Sequence, residues 1–295
     1  MPTPTSAYYN DTDPYVHSWL RNLADATLIT DGIVDGRDIR KLIPADLAGR
    51  IRVHLFAGIA GWEYALQLAR WPAELPVWTG SCPCQPFSVA GKRKGTADKR
   101  HLWPEFHRLV SKCRPPVVFG EQVAGKDGRK WLAGVRFDLE SLGYRVACAD
   151  LAAASVGAPH IRQRLYWVAD ATATGRPRGV QEPHEGRAGS EPRREPGGVG
   201  DPSCQRYEEQ PNDRAWFGDS PWTGSVLIPC LDGKARRIPV EPELFPLAPR
   251  LPGHVGQLRA YGNSIVPQVA AEFISSYMEA VGIPPEPDPI PEWTM

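Results

Sequence analysis

The sequence predicts an α/β fold built on a doubly wound, mostly parallel sheet, and three observations carry that prediction. Short apolar runs (Ile51–Phe56, Val77–Thr79, Val117–Phe119, Tyr144–Leu151, Leu165–Ala169) alternate with segments of helical period (Trp62–Ala69, His101–Cys113, Trp131–Leu142). The first run passes through a glycine-spaced turn, Ala57-Gly58-Ile59-Ala60-Gly61, straight into a helix, which is how such a domain begins. A chain of 295 residues is long enough to bury one large core and carry a smaller appended region.

Taken in order, Pro14 to about Leu28 is an amphipathic helix with Val16, Trp19, Leu20 and Leu23 on one face, Asp13 as its cap and Pro14 in its first turn. Between Asp35 and Leu47, residues Ile39, Leu42 and Ile43 pack on a short helix, so residues 1–50 read as an N-terminal helical extension. Residues 51–170 form the α/β domain. Only 15 residues separate Gly61 from Val77, and Pro72 and Pro76 stiffen them, so one crossover fits there and two do not. Pro115-Pro116 ends one helix, and Gly143 closes another as its left-handed cap. Residues 171–258 form a loop-rich insertion and recognition region. Its first part, to Arg214, balances seven arginines against eight acids, the composition of a solvated segment. Residues 259–282 return as a helix with Val266, Val269, Ala270, Phe273 and Tyr277 on one stripe, and residues 283–295 are a proline-rich tail.

Lysine plus arginine equal aspartate plus glutamate, so nothing global argues for nucleic acid and any such affinity must come from local patches. Six irregularly spaced cysteines make neither a disulfide framework nor a zinc site, which suits a reducing, cytoplasmic setting without a structural metal. No apolar run reaches membrane-spanning length. A monomer is expected.

The chain is organised around Gly80-Ser81-Cys82-Pro83-Cys84-Gln85-Pro86-Phe87-Ser88. A buried strand feeds a stiff turn that displays a thiol at the sheet edge where α/β domains do their chemistry. The basic loop Lys92-Arg93-Lys94 follows it. A nucleophile acting on an anionic polymer fits this pattern, and so does a small buried cysteine beside an ordinary solvated charge run. Glu121 stands at the end of the next strand, at the same edge.

These residues together resemble the DNA cytosine carbon-5 methyltransferases, particularly the short forms of phages and prophages. Leu55-Phe56-Ala57-Gly58-Ile59-Ala60-Gly61 is similar to the first cofactor motif, and Pro83-Cys84-Gln85 with Phe87-Ser88 to the nucleophile motif. Glu121-Gln122-Val123 resembles the Glu-Asn-Val motif, His160-Ile161-Arg162-Gln163-Arg164 the arginine motif, and Gly262-Asn263-Ser264 the closing motif. The resemblance implies a methyltransferase-like Rossmann fold and base flipping of double-stranded DNA. It implies Cys84 as the nucleophile on carbon 6, Glu121 as the acid at ring nitrogen 3, and Arg162 and Arg164 holding the base and backbone. Phe56, Gly58, Gly61, Trp62, Pro83, Asn263 and Ser264 would line the cofactor site. Gln85, Ser88, Lys92, Arg93, Lys94, Arg236 and Arg237 would touch DNA.

The chain departs from the family at His54, Ala60, Gln122 and His160. It also lacks the two strands that the family places between its first motif and its nucleophile, whose acids hold the ribose and adenine of S-adenosylmethionine. The expectation is a truncated fold whose donor site is either rebuilt, with the N-terminal extension and aromatic residues such as Trp62, Tyr8 or Tyr9, or replaced. A hydroxymethyltransferase using methylenetetrahydrofolate and a catalytically silent DNA-binding homologue are the alternatives. A thiol hydrolase lacks a convincing base. Restriction-modification is one biological setting among several.

Overall fold

The computed structural model describes residues 7–83, 102–158, 160–172, 225–229, 235–239 and 262–287. Their strands are β1 (Ala7–Asn10), β2 (Gly32–Asp35), β3 (Arg52–Leu55), β4 (Val77–Gly80), β5 (Val117–Val123), β6 (Arg145–Leu151), β7 (Arg164–Asp170), β8 (Ser225–Pro229) and β9 (Ala235–Pro239). The helices are α1 (Pro14–Asp25), α2 (Pro44–Leu47), α3 (Gly61–Leu68), α4 (Trp103–Cys113), α5 (Lys126–Ser141) and α6 (Pro267–Val281). Seven strands form one sheet in the order β2-β1-β3-β4-β5-β7-β6. All neighbours run parallel except β7, which is antiparallel to both β5 and β6. The predicted doubly wound sheet is therefore present, and α3 is the single crossover joining the adjacent strands β3 and β4.

The sheet is not truncated. Residues 1–50 do not form a purely helical extension: they supply the helix α1, capped by Asp13 as expected, and also β1 and β2. Both strands pair in parallel on the far side of β3, with Tyr8 opposite Val53 and Tyr9 opposite His54. The two strands absent after the glycine turn thus stand ahead of it in the chain. The sheet thus has seven strands, two of them supplied from ahead of the glycine turn. β1 gives no alternating signal because all four of its residues are buried, as parallel strands covered on both faces are. Other differences are smaller: α5 begins at Lys126, and Ile43 is exposed at 55% while Ile39 and Leu42 are buried.

Side chains of β1 divide between the two faces with the strand's period of two. Tyr9 joins Val16, Leu20, Ala57 and Ala60 in one core cluster, while Tyr8 joins Ile39, Leu42, Trp78, Phe106 and Trp131 in the other. Beneath Tyr9 lies a buried polar network. Glu63, fully buried on α3, accepts hydrogen bonds from Arg52 (2.6 Å) and Thr30 Oγ1 (2.7 Å) and lies 2.9 Å from His54 Nε2. His54 also bonds Thr79 (2.8 Å), and its ring stacks on Tyr9 at 5.0 Å. The network ties the N-terminal strands to β3, β4 and α3, and it accounts for the histidine that precedes Leu55-Phe56.

β8 and β9 form an antiparallel hairpin in which Arg237 lies opposite Leu227 and Arg236 opposite Ile228. The remainder of 173–261 and the tail from residue 288 fall outside the described residues. Among the described residues, no helix is long and apolar enough to cross a membrane, and no cluster suits a metal ion.

Candidate active site

The parallel topology brings the ends of β1, β2, β3, β4 and β5 to one edge, and β7 starts there because it runs the other way. Glu121 on β5 pairs across the ladder with Tyr166 on β7. Arg164, the first residue of β7, reaches Glu121 Oε1 through Nε at 2.8 Å. Gly120 makes room for this arrangement, since a Cβ there would lie 2.2 Å from the Trp167 ring. Burial is the largest influence on Glu121 and raises its pKa above the usual carboxylate value. Attraction from Arg164 and Arg162 and a hydrogen bond from Ser81 oppose that rise without cancelling it.

Arg162 has a φ of 30°, in the left-handed region where a residue with a side chain is strained. Its guanidinium donates to the carbonyls of Gly262 (3.1 Å) and Ser264. Arg162 thereby clasps the closing motif, and Arg164 is the arginine that touches the carboxylate. Asn263 is exposed, and Ser264 Oγ bonds the Ile265 carbonyl at 3.0 Å. A Cβ on Gly61 would fall 2.9 Å from Ile265, so this glycine lets the closing motif pack on the start of α3.

Pro83 is half-buried and is the last described residue before Cys84. Gln122, in place of the family's asparagine, donates to the Cys82 carbonyl at 3.3 Å and so anchors the turn that precedes Cys84. Cys84, Gln85, Ser88, Lys92, Arg93 and Lys94 lie outside the described residues, as do the side chains of Arg236 and Arg237.

On the other side of β3, Phe56 and Gly58 adopt φ of 55° and 52°. Phe56 is half-buried, with its ring edge-on to Phe106 at 6.2 Å. Ala60, where the family has glycine, is also left-handed at 69°, a conformation that costs an L-residue roughly 1–2 kcal/mol. The Gly58 N–H donates to Asp11 Oδ2 at 3.0 Å, placing a half-buried carboxylate from the end of β1 beside the glycine turn. Two more acids, Asp35 and Asp38, stand at the end of β2. Asp35 is engaged by Tyr8 and by Arg37, whereas Asp38 bonds only Arg40 among the contacts on its carboxylate. These three acids escape a reading of the sequence, although Asn10-Asp11-Thr12-Asp13-Pro14 carries more than a helix cap needs.

Three aromatic expectations are corrected. Trp62, Tyr8 and Tyr9 are 3%, 1% and 0% exposed and belong to the core. Trp62 donates its indole N–H to Ser81 Oγ at 3.0 Å and packs on Phe119 and Tyr166. Tyr8 and Tyr9 bond Asp35 and the Thr30 carbonyl.

Residues 70–183 match the family model described as C-5 cytosine-specific DNA methylase. The chain is 38% identical over 96 residues to the type II methyltransferase M.AplI of Arthrospira platensis, covering 32% of this chain and 28% of that protein. It is 37% identical over 90 residues to M.HhaI of Haemophilus parahaemolyticus, covering 29% and 28%. Against M.AgeI of Thalassovita gelatinovora it is 29% identical over 168 residues, covering 55% and 33%. The matched part thus spans about a third or less of the length of these relatives. The motifs and the family match agree, and residues 70–183 of the chain are similar to the C-5 cytosine-specific DNA methylases.

Proposed function

We propose that the protein transfers a methyl group from S-adenosylmethionine to carbon 5 of a cytosine flipped out of double-stranded DNA. The observation that supports this most is the buried Glu121 held by Arg164 at the sheet edge, directly beside the turn leading to Cys84. Carbon 5 of cytosine becomes nucleophilic once the Cys84 thiolate adds to carbon 6 and a proton reaches ring nitrogen 3. Glu121 is suited to supply that proton, because burial raises its pKa and favours the neutral form. After transfer, loss of the proton on carbon 5 and departure of the thiolate restore the aromatic ring. DNA contacts are assigned to the loop with Gln85, Ser88, Lys92, Arg93 and Lys94 and to the hairpin bearing Arg236 and Arg237.

The residues present fit S-adenosylmethionine. Space above Gly58 is open, since a Cβ there would meet no atom within 4 Å, and the Asp11 carboxylate borders the same turn. When bound, the donor supplies an electrophilic methyl carbon. We assign Asp11 to the ribose hydroxyls and Asp38 to the adenine amino group, because Asp35 is already held by Tyr8 and Arg37. No finding favours a folate donor or a silent homologue.

Incubation with double-stranded DNA and S-adenosylmethionine, followed by mass analysis of the bases, should yield 5-methylcytosine; unmodified DNA across varied sequences refutes the reading. The donor assignment makes its own prediction. In calorimetric titration, Asp11→Ala should weaken S-adenosylmethionine binding by about 10- to 100-fold, the worth of a hydrogen bond to a charged group. Unchanged affinity would exclude Asp11 from the pocket.

A further inference from the structure

Ser81 lies three residues before the nucleophile, between a tryptophan and the acid. The indole N–H of Trp62 donates to Ser81 Oγ at 3.0 Å, and Ser81 hydrogen-bonds the Glu121 carboxylate. An indole nitrogen can only donate, so Ser81 accepts there and its own proton is directed to Glu121. Arg164 Nε, the other group on that carboxylate at 2.8 Å, is likewise a donor with no capacity to accept. Neither neighbour can take a proton from Glu121.

Resting on the function proposed above, we infer that Ser81, oriented by Trp62, is a positioning residue that reserves the Glu121 proton for an acceptor outside the protein, the ring nitrogen of the flipped base. Among the described residues, the carboxyl group is held by the donors Ser81 and Arg164, which leaves its acidic hydrogen without an acceptor there. Trp62 is thereby part of the machinery from within the core, linking α3 to the acid on β5 without touching a ligand.

Ser81→Ala removes the donor to the carboxylate, Ser81→Thr keeps it, and Trp62→Phe keeps the hydroxyl but frees its orientation. The carboxyl carbon of Glu121, labelled with carbon-13 and assigned by its absence in Glu121→Gln, reports protonation directly by NMR without requiring turnover. In Ser81→Ala its titration midpoint should rise by about one pH unit, the effect of losing one hydrogen bond to a charged group. Ser81→Thr should restore the parent midpoint, and Trp62→Phe should fall between. Single-turnover methylation should slow about tenfold or more in Ser81→Ala at unchanged DNA affinity, with the alkaline limb of its pH profile moved upward. A Ser81→Ala midpoint equal to the parent's overturns the inference. A parent that methylates nothing overturns the function instead, and the NMR arm still decides the role of Ser81.

Discussion

Cys84→Ala protein is expected to form no covalent complex with DNA carrying 5-fluorocytosine, whereas the parent accumulates one in the presence of S-adenosylmethionine. Fluorine cannot leave carbon 5 as a proton does, so the intermediate cannot expel the thiolate and the protein stays bound through sulfur. Methyl transfer to ordinary DNA should fall on the order of 10⁶-fold, the scale on which removing a covalent nucleophile acts. Denaturing electrophoresis reads the complex, and peptide mass mapping reads the attachment site. Two cysteines compete for the role, because Cys82 lies only two residues away. Cys82 is 3% exposed, and its carbonyl is held by Gln122 beneath the turn, which favours Cys84. A complex that survives Cys84→Ala overturns the assignment, and attachment at Cys82 moves it by two residues.

Much of this site can be read from the chain because its catalytic half is written in unbroken units. β4 and β5 grow from apolar runs, β4 ends in Gly80, β5 carries Gly120-Glu121 near its end, and β3 leads through the glycine-spaced turn into α3. Glu121 and Arg164 are named by their motifs, and the sheet then brings them to 2.8 Å. The donor half is harder to read because its evidence is scattered. β1 and β2 have four residues each, and β1 is too fully buried to alternate. Asp11 stands two residues before a true helix cap, Asp13, which masks its second partner, the Gly58 N–H 47 positions away. An adjacent pair such as Tyr8-Tyr9 reads as one aromatic surface, yet a strand sends the two rings to opposite faces. The 15-residue gap before Val77 excludes two strands there, as the structure bears out. What the gap cannot reveal is that residues 1–50 supply two strands to the same sheet.

One buried interaction joins the N-terminal block to the rest of the sheet. Glu63 on α3 is the point where Thr30, from the N-terminal block, meets Arg52 and His54 of β3. Glu63→Ala should destabilise the protein by about 3–5 kcal/mol, because it leaves the nearly buried Arg52 guanidinium without its carboxylate. Against a typical folding stability of about 5–15 kcal/mol, that is a large fraction. Thermal melting should fall by on the order of 10 °C. Glu63→Gln, which keeps the volume and one acceptor, should cost less. Burial by itself would raise the pKa of Glu63, but hydrogen bonding and attraction from His54, the charge of Arg52 and the Thr30 hydroxyl together hold it at about 2. A carboxylate depressed in this way stabilises the fold above its unfolded pKa of about 4.3, and that contribution is lost as pH falls toward 2. Over that window the parent should lose roughly 3 kcal/mol that Glu63→Ala, having no such group, does not lose. The two melting curves should therefore converge toward pH 2 and stand furthest apart above pH 5. A gap that stays constant across this range would show that packing, and not the charge of Glu63, joins the N-terminal strands to the rest of the sheet.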